Sequence, residues 1–192
     1  MKTVRLGTPV VLAAMFFTSL LASNARADVD PQSVAVYLRL MAYDRNLENR
    51  VGDRAVIAVV VPNEETRHES ARRFFFILSK SKRLKLANKA VTPELVALAD
   101  SGDLAKALAK SKADYVFLPK ELTADELDRA VAACTKARIP SLAMGREAVR
   151  RGASLGVEEE PRTRIYVNVG SASRQGADYG QDLLRLATRE GD

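Results

Sequence analysis

The seven residues Ala55–Val61 read Ala-Val-Ile-Ala-Val-Val-Val, and this run constrains the fold more than any other stretch of the chain. A strand with one wet face alternates polar and apolar side chains. An unbroken, β-branched-rich run instead suits a strand covered on both faces, which is the habit of parallel sheets. Parallel neighbours need long crossovers, and right-handed crossovers lay helices against the sheet. Two further apolar runs repeat the signal: Tyr115–Leu118, closed by Pro119, and Ile139–Ala143.

Helical patterns fill the gaps. Asp30-Pro31 opens a helix expected to run to about Asn49, with Val34, Tyr37, Leu38 and Met41 on one face, before Gly52-Asp53 breaks the chain. Asn63 reads as the cap of a second helix, with Glu64 and Glu65 in its first turn and Ala71, Phe74, Phe75 and Leu78 buried. Leu84–Leu86 suits a short strand. Thr92-Pro93 is expected to begin a helical stretch that breaks near Ser101-Gly102 and resumes through Leu104, Ala107 and Leu108. Thr123-Ala-Asp-Glu126 is a capping box, and the helix behind it carries Leu127, Ala130, Val131 and Cys134 on its apolar stripe. Met144–Arg151 forms a short helix ended by Gly152.

The tail differs in kind. Ala153–Val157 and Arg164–Val169 are strand patterns joined by a charged turn with no helix between them, which predicts an antiparallel hairpin. In its second strand Ile165, Val167 and Val169 face one way, and Arg164, Tyr166 and Asn168 the other. A closing helix is expected near Tyr179–Thr188, with Leu183, Leu184 and Leu186. The sum is an α/β chain: a three-layer sandwich with a mostly parallel sheet, a C-terminal antiparallel hairpin and a closing helix, forming one domain over residues 28–192.

The first 27 residues read as a Sec-type signal peptide rather than as fold. Lys2 and Arg5 precede an uncharged, mostly apolar run, Val10–Leu21, and Ala25-Arg26-Ala27 supplies a small-x-small cleavage site before Asp28. The run is shorter than the roughly 20 residues that cross a bilayer, so cleavage between Ala27 and Asp28 is favoured over a retained anchor. Export to the periplasm is the expectation. Removing the leader takes out Lys2, Arg5 and Arg26 and no acidic group, leaving 27 basic against 24 acidic residues, a net of +3. Charge that is modest and of both signs argues against nucleic acid as a partner.

One cysteine and one histidine exclude an internal disulfide and leave little for metal binding or His-dependent catalysis. Cys134 sits on an apolar stripe and reads as a core residue before it reads as a redox thiol. His68, in Arg67-His68-Glu69, reads as a solvated surface residue. The basic run Ser79–Lys85 suits a solvated helix end leading into an edge strand, with an acidic partner or lipid headgroups as the competing reading. Asn63, Gly145 and Arg146 lie just past the carboxyl ends of predicted parallel strands, where open α/β sheets bind small ligands; they form a candidate ligand rim. No glycine-rich phosphate loop, nucleophile elbow or metal motif is present, so the chain is read as non-catalytic, with no cofactor and no metal.

The tail also carries a resemblance. Residues 152–188, with Val167-Asn168-Val169 before a helix bearing Leu183-Leu184, resemble the end of the periplasmic YfiR family, and Ile139-Pro140-Ser141-Leu142 followed by Gly145-Arg146 fits the segment before it. Two features depart from that family: disulfides, which one cysteine cannot form, and an aromatic end to the first helix, which here is Met41-Ala42-Tyr43-Asp44-Arg45-Asn46. The resemblance implies a regulator that binds the extracytoplasmic part of a membrane signalling protein, a diguanylate cyclase or histidine kinase, and so bears on cyclic di-GMP and biofilm formation. A homodimer is an open assembly under that reading. Asn168, Leu183 and Leu184 would be structural positions of the motif, with Asn168 tying the last strand to the loop at Gly170-Ser171. The alternative is a small periplasmic solute-binding protein of a transport system: strand–helix alternation behind a leader suits that class, but length argues against it, since such proteins clamp a ligand between two α/β lobes and about 165 residues supply about one.

Overall fold

A computed structural model describes residues 29–98, 103–159 and 162–191. The predicted leader, with Ala27 and Asp28, and the predicted break at Ser101-Gly102 lie outside the described residues. The chain runs α1 (Pro31–Met41), α2 (Leu47–Arg50), β1 (Arg54–Val61), a 3-10 turn (Glu65–Arg67), α3 (Glu69–Lys80), β2 (Lys85–Leu86), β3 (Lys89–Ala97) and α4 (Leu104–Ser111). It continues with β4 (Tyr115–Leu118), α5 (Ala124–Ala137), β5 (Ser141–Met144), α6 (Arg146–Arg150), β6 (Leu155–Glu158), β7 (Arg164–Val167), α7 (Val169–Arg174), α8 (Gln181–Leu186) and β8 (Thr188–Arg189).

The eight strands of the described residues join one sheet in the order β2-β3-β1-β4-β5-β6-β7-β8. The centre is parallel: β1 pairs with β3 and β4, and β4, β5 and β6 continue in the same sense. β6 and β7 form the expected antiparallel hairpin, from Leu155↔Val167 to Glu158↔Arg164. Two cores sandwich the sheet. One joins α1, α3 and the tail to Ile57, Val59, Tyr115 and Phe117; the other joins α4 and α5 to Ala58, Val60, Val116 and Leu118. The alternation of β1 and β4 residues between these cores is why those strands are apolar throughout. In the first core Phe74 stacks on Phe117 at 3.8 Å between ring centres, and Tyr37 meets both rings edge-on. Cys134 is buried in the second core.

Several expectations are corrected. The first helix does not reach Asn49. It stops at Met41, and the chain turns through Ala42–Asn46 so that Asp44 can bridge to Tyr179. The stretch from Thr92 is not helical but the middle of β3, because eight residues of β1 stand in register beside it, from Arg54↔Ala90 to Val61↔Ala97. Pro93 is tolerated there for a geometric reason. The Leu98 amide donates to Val61 O at 2.9 Å, so alternate residues 92, 94 and 96 also face β1 while Pro93 faces the open edge, where its missing N–H breaks no ladder bond. Asn63 does not cap α3, which starts at Glu69 behind the 3-10 turn with His68 at its cap position. Phe75 is only half-buried. The third predicted strand begins at Ser141 rather than Ile139. Val169 is not a strand residue but opens α7, which the sequence pattern did not signal, and the closing helix ends at Leu186 before β8 pairs with β7. Leu183 is buried, Leu184 half-buried and Leu186 exposed.

Candidate functional site

Strand order reverses at β1, where the chain goes first to β3 on one side and then to β4 on the other. The loops after β1 and β4 flank the crevice where ligands bind in open α/β sheets. Here the crevice is bridged by protein. Arg67 makes a forked pair with Glu126, Nη1 to Oε2 at 2.6 Å and Nη2 to Oε1 at 2.9 Å, and Nη1 also donates to Glu121 O at 2.9 Å. The Glu121 carboxylate accepts from the backbone N–H and hydroxyl of Ser70. Arg67 hydrogen bonds hold the Glu126 carboxyl down to about 2. His68 is half-buried rather than solvated. Its Nε2 lies 2.7 Å from Pro62 O, and since a carbonyl only accepts, that nitrogen carries the proton.

The predicted rim residues are not brought together as one site. Asn63 is exposed in the loop after β1. Gly145 caps α6 at φ +87°, and its N–H donates to Val157 O at 2.8 Å. Arg146 turns to the far edge of the sheet, where Glu190 accepts from Nε of Arg146 at 2.5 Å and of Arg150 at 3.2 Å. Its guanidinium also sits 5.7 Å from the centre of the Tyr166 ring. These contacts pin the last strand to α6. Asn168 is buried: its Oδ1 accepts from the Ser171 amide at 2.8 Å and its Nδ2 donates to Val149 O at 3.2 Å. It therefore joins the start of α7 to α6.

A pocket of about 420 Å³ opens at the opposite, amino-terminal end of the strands, among Asn46, Arg138, Ala172, Ser173, Gly176 and Tyr179. Its floor adjoins a buried polar knot around Asp44. Asp44 Oδ1 accepts from the amides of Asn46 (3.0 Å) and Asp178 (2.9 Å), and Oδ2 from the Tyr115 hydroxyl at 3.0 Å and from Arg50 Nη2 at 3.5 Å. Arg50 also reaches Gly176 O at 2.5 Å and lies over the Tyr115 ring. Two polar atoms of the region are buried without a hydrogen-bond partner among the described residues: Arg50 Nε and the Tyr179 hydroxyl. Burial, and then the nearby Asp44 charge, push the Tyr179 hydroxyl above its ordinary range, so it stays protonated. The cavity is large enough for a small polar molecule, and Asn46, Arg138 and Ser173 of its lining are the side chains that can bond one. No group of three or more metal-ligating side chains occurs among the described residues.

Sequence reasoning missed Asp44, Arg50, Tyr115 and Tyr179 as a group because they meet only through the break after α1. The visible trace was the polar segment Tyr43-Asp44-Arg45-Asn46 in the middle of an expected amphipathic helix. It also missed Gln175, whose Oε1 accepts from the Ser141 amide at 2.9 Å and from the hydroxyls of Ser141 (2.8 Å) and Ser154 (2.5 Å), all buried.

No family model matches the chain, and no curated protein matches it in sequence. Solved structures do match its fold. A conserved domain protein from Vibrio cholerae O1 biovar El Tor superposes with a TM-score of 0.59 at 15% identity, over 82% of this chain and 60% of that one. An ABC domain in complex with L-Trp from Streptococcus pneumonia gives 0.60 at 13% identity, over 82% and 60%. The ligand-free, open structure of CD0873, a substrate-binding protein with adhesive properties from Clostridium difficile, gives 0.55 at 13% identity, over 77% and 58%. The matched part of this chain spans about three-fifths of the length of those proteins. What these likenesses define is the fold, an α/β fold with a mostly parallel sheet. No helix among the described residues is long and apolar enough to cross a membrane.

Proposed function

We propose that this protein is an extracytoplasmic, non-catalytic binding protein of the solute-binding type, taking a small polar ligand at the pocket beside Tyr179. The observation that carries the reading is that pocket, whose lining includes the polar side chains of Asn46, Arg138 and Ser173, on a fold similar to those of the L-Trp complex and of the substrate-binding protein CD0873. The test is a thermal-shift screen with amino acids, sugars, nucleosides and organic acids. A ligand at about 100 times its Kd stabilises the native state by about 2.7 kcal/mol. One class should raise the melting midpoint, and Arg138→Asn, which truncates an exposed side chain of the pocket lining at a left-handed position that Asn tolerates, should abolish most of that rise while leaving the unliganded midpoint within a few degrees. Unchanged midpoints across the whole panel refute the reading.

A second reading is favoured by the Arg67–Glu126 fork, which occupies the crevice where an open sheet of this order would hold its ligand. Under it the chain is a regulator of the kind its tail resembles, with the outer domain of a membrane diguanylate cyclase or histidine kinase as partner and protein surface as the working site. Affinity capture from envelope extract separates the two: specific recovery of such a sensor supports regulation, and its absence supports the solute reading.

A further inference from the structure

We propose that the outer edge of β3 is a docking site for an extended, acidic segment of a partner protein, bound by strand addition. Backbone geometry is the first ground. Residues 91, 93, 95 and 97 turn their main-chain groups away from β1, by the same alternation that places Leu98 N–H on Val61 O. Among the described residues the only strand on that side is β2, and it pairs only with Lys89 and Ala90. Beyond it the edge presents the amides of Val91, Leu95 and Ala97 and four carbonyls, in a strand nine residues long. An edge of that length is a template for another strand.

Side chains give the second ground. Leu95 is 48% exposed, and a groove of about 370 Å³ runs beside the edge between Glu94 and Val96 of β3 and Ala107 and Lys110 of α4. Strand addition draws affinity from main-chain bonds and specificity from such grooves for alternate side chains. Charge is the third ground, and it selects the occupant. Lys82, Arg83 and Lys85 precede the edge, and Lys110 and Lys112 stand on the α4 side; Glu94 is the acidic residue of β3, and Asp103 at the start of α4 is paired with Lys106 at 3.8 Å and Lys136 at 3.0 Å. Such a frame repels a second copy, which would bring its own lysines against these, and attracts a strand carrying carboxylates. The proposal uses none of the residues of the Tyr179 pocket, so it stands or falls apart from the solute reading.

The test is a titration of the ¹⁵N-labelled protein with a peptide of about eight residues that alternates Val or Thr with Glu. Three comparison arms accompany it: its Lys counterpart, a version N-methylated on the bonding side, and the K110E/K112E variant. The acidic peptide should shift the amides of Val91, Leu95 and Ala97. Binding should weaken about tenfold in high salt, about tenfold in the K110E/K112E variant, and at least tenfold with the N-methylated peptide, which lacks the donors a ladder needs. Four results would overturn the proposal: no shift at the edge, equal binding of the Lys peptide, equal binding of the N-methylated peptide, or concentration-dependent self-association that shifts the same amides without peptide.

Discussion

Glu126 shows how one residue can carry more than its local rule. The sequence marks it as half of a capping box, and it fills that role: its carboxylate accepts from Thr123 N–H at 2.9 Å, and Thr123 Oγ1 accepts from Glu126 N–H. The fold adds the fork to Arg67, fifty-nine residues away in sequence. The consequence is a pH dependence with a definite sign. Arg67 holds the folded-state carboxyl at about 2, below its usual 4.5. A depressed carboxyl stabilises the fold fully above about pH 5, and that contribution is lost as pH falls through the unfolded value toward the folded one. Glu126→Gln should therefore lower stability at neutral pH by about 1–3 kcal/mol and flatten the acid limb between about pH 5 and 2. Urea midpoints measured against pH check this; parallel curves for the two proteins would contradict it.

At the scale of elements, legibility depended on whether a segment's partners were local. Both strands with continuous apolar runs, β1 and β4, were readable because burial on two faces leaves no polar alternation. The α5 cap was readable because its two bonding groups lie three residues apart. The β3 strand was not, since its Thr-Pro start imitates a helix N-terminus and only the register against β1 decides otherwise. The short α7 was hidden for a related reason. Val169 continues the alternation of β7, yet Asn168 Oδ1 takes the Ser171 amide and turns the chain into a helix. Asn168→Ala should cost about 1–2 kcal/mol through that lost cap, plus the bond to Val149 O. Asn168→Asp keeps the cap acceptor and should recover part of the loss. Chemical denaturation of the three proteins checks the order; equal midpoints would show that α7 is held by packing alone.

The whole molecule behaves as two cores divided by one sheet, and Cys134 reports on the second. Burial pushes its thiol up to about 12, so little thiolate exists at neutral pH. Native protein should resist a thiol reagent at pH 8 for as long as the fold stays closed, and react at once in denaturant. The labelling rate then follows opening of the α4–α5 side. Prompt reaction in native buffer would place that core among the mobile parts of the molecule.

The amino-acid sequence alone determined the layered α/β architecture, the parallel centre, the hairpin and the burial of Cys134, because each follows from spacing within a single element. Tertiary structure decided where β3 runs, why the first helix stops at Met41, how the crevice at the strand-order reversal comes to be bridged, and which polar residues surround Asp44. Those features rest on contacts between elements far apart in sequence, such as β1 with β3, Arg67 with Glu126 and Asp44 with Asp178. Such pairings are made by the sheet's order and leave no periodic trace along the chain.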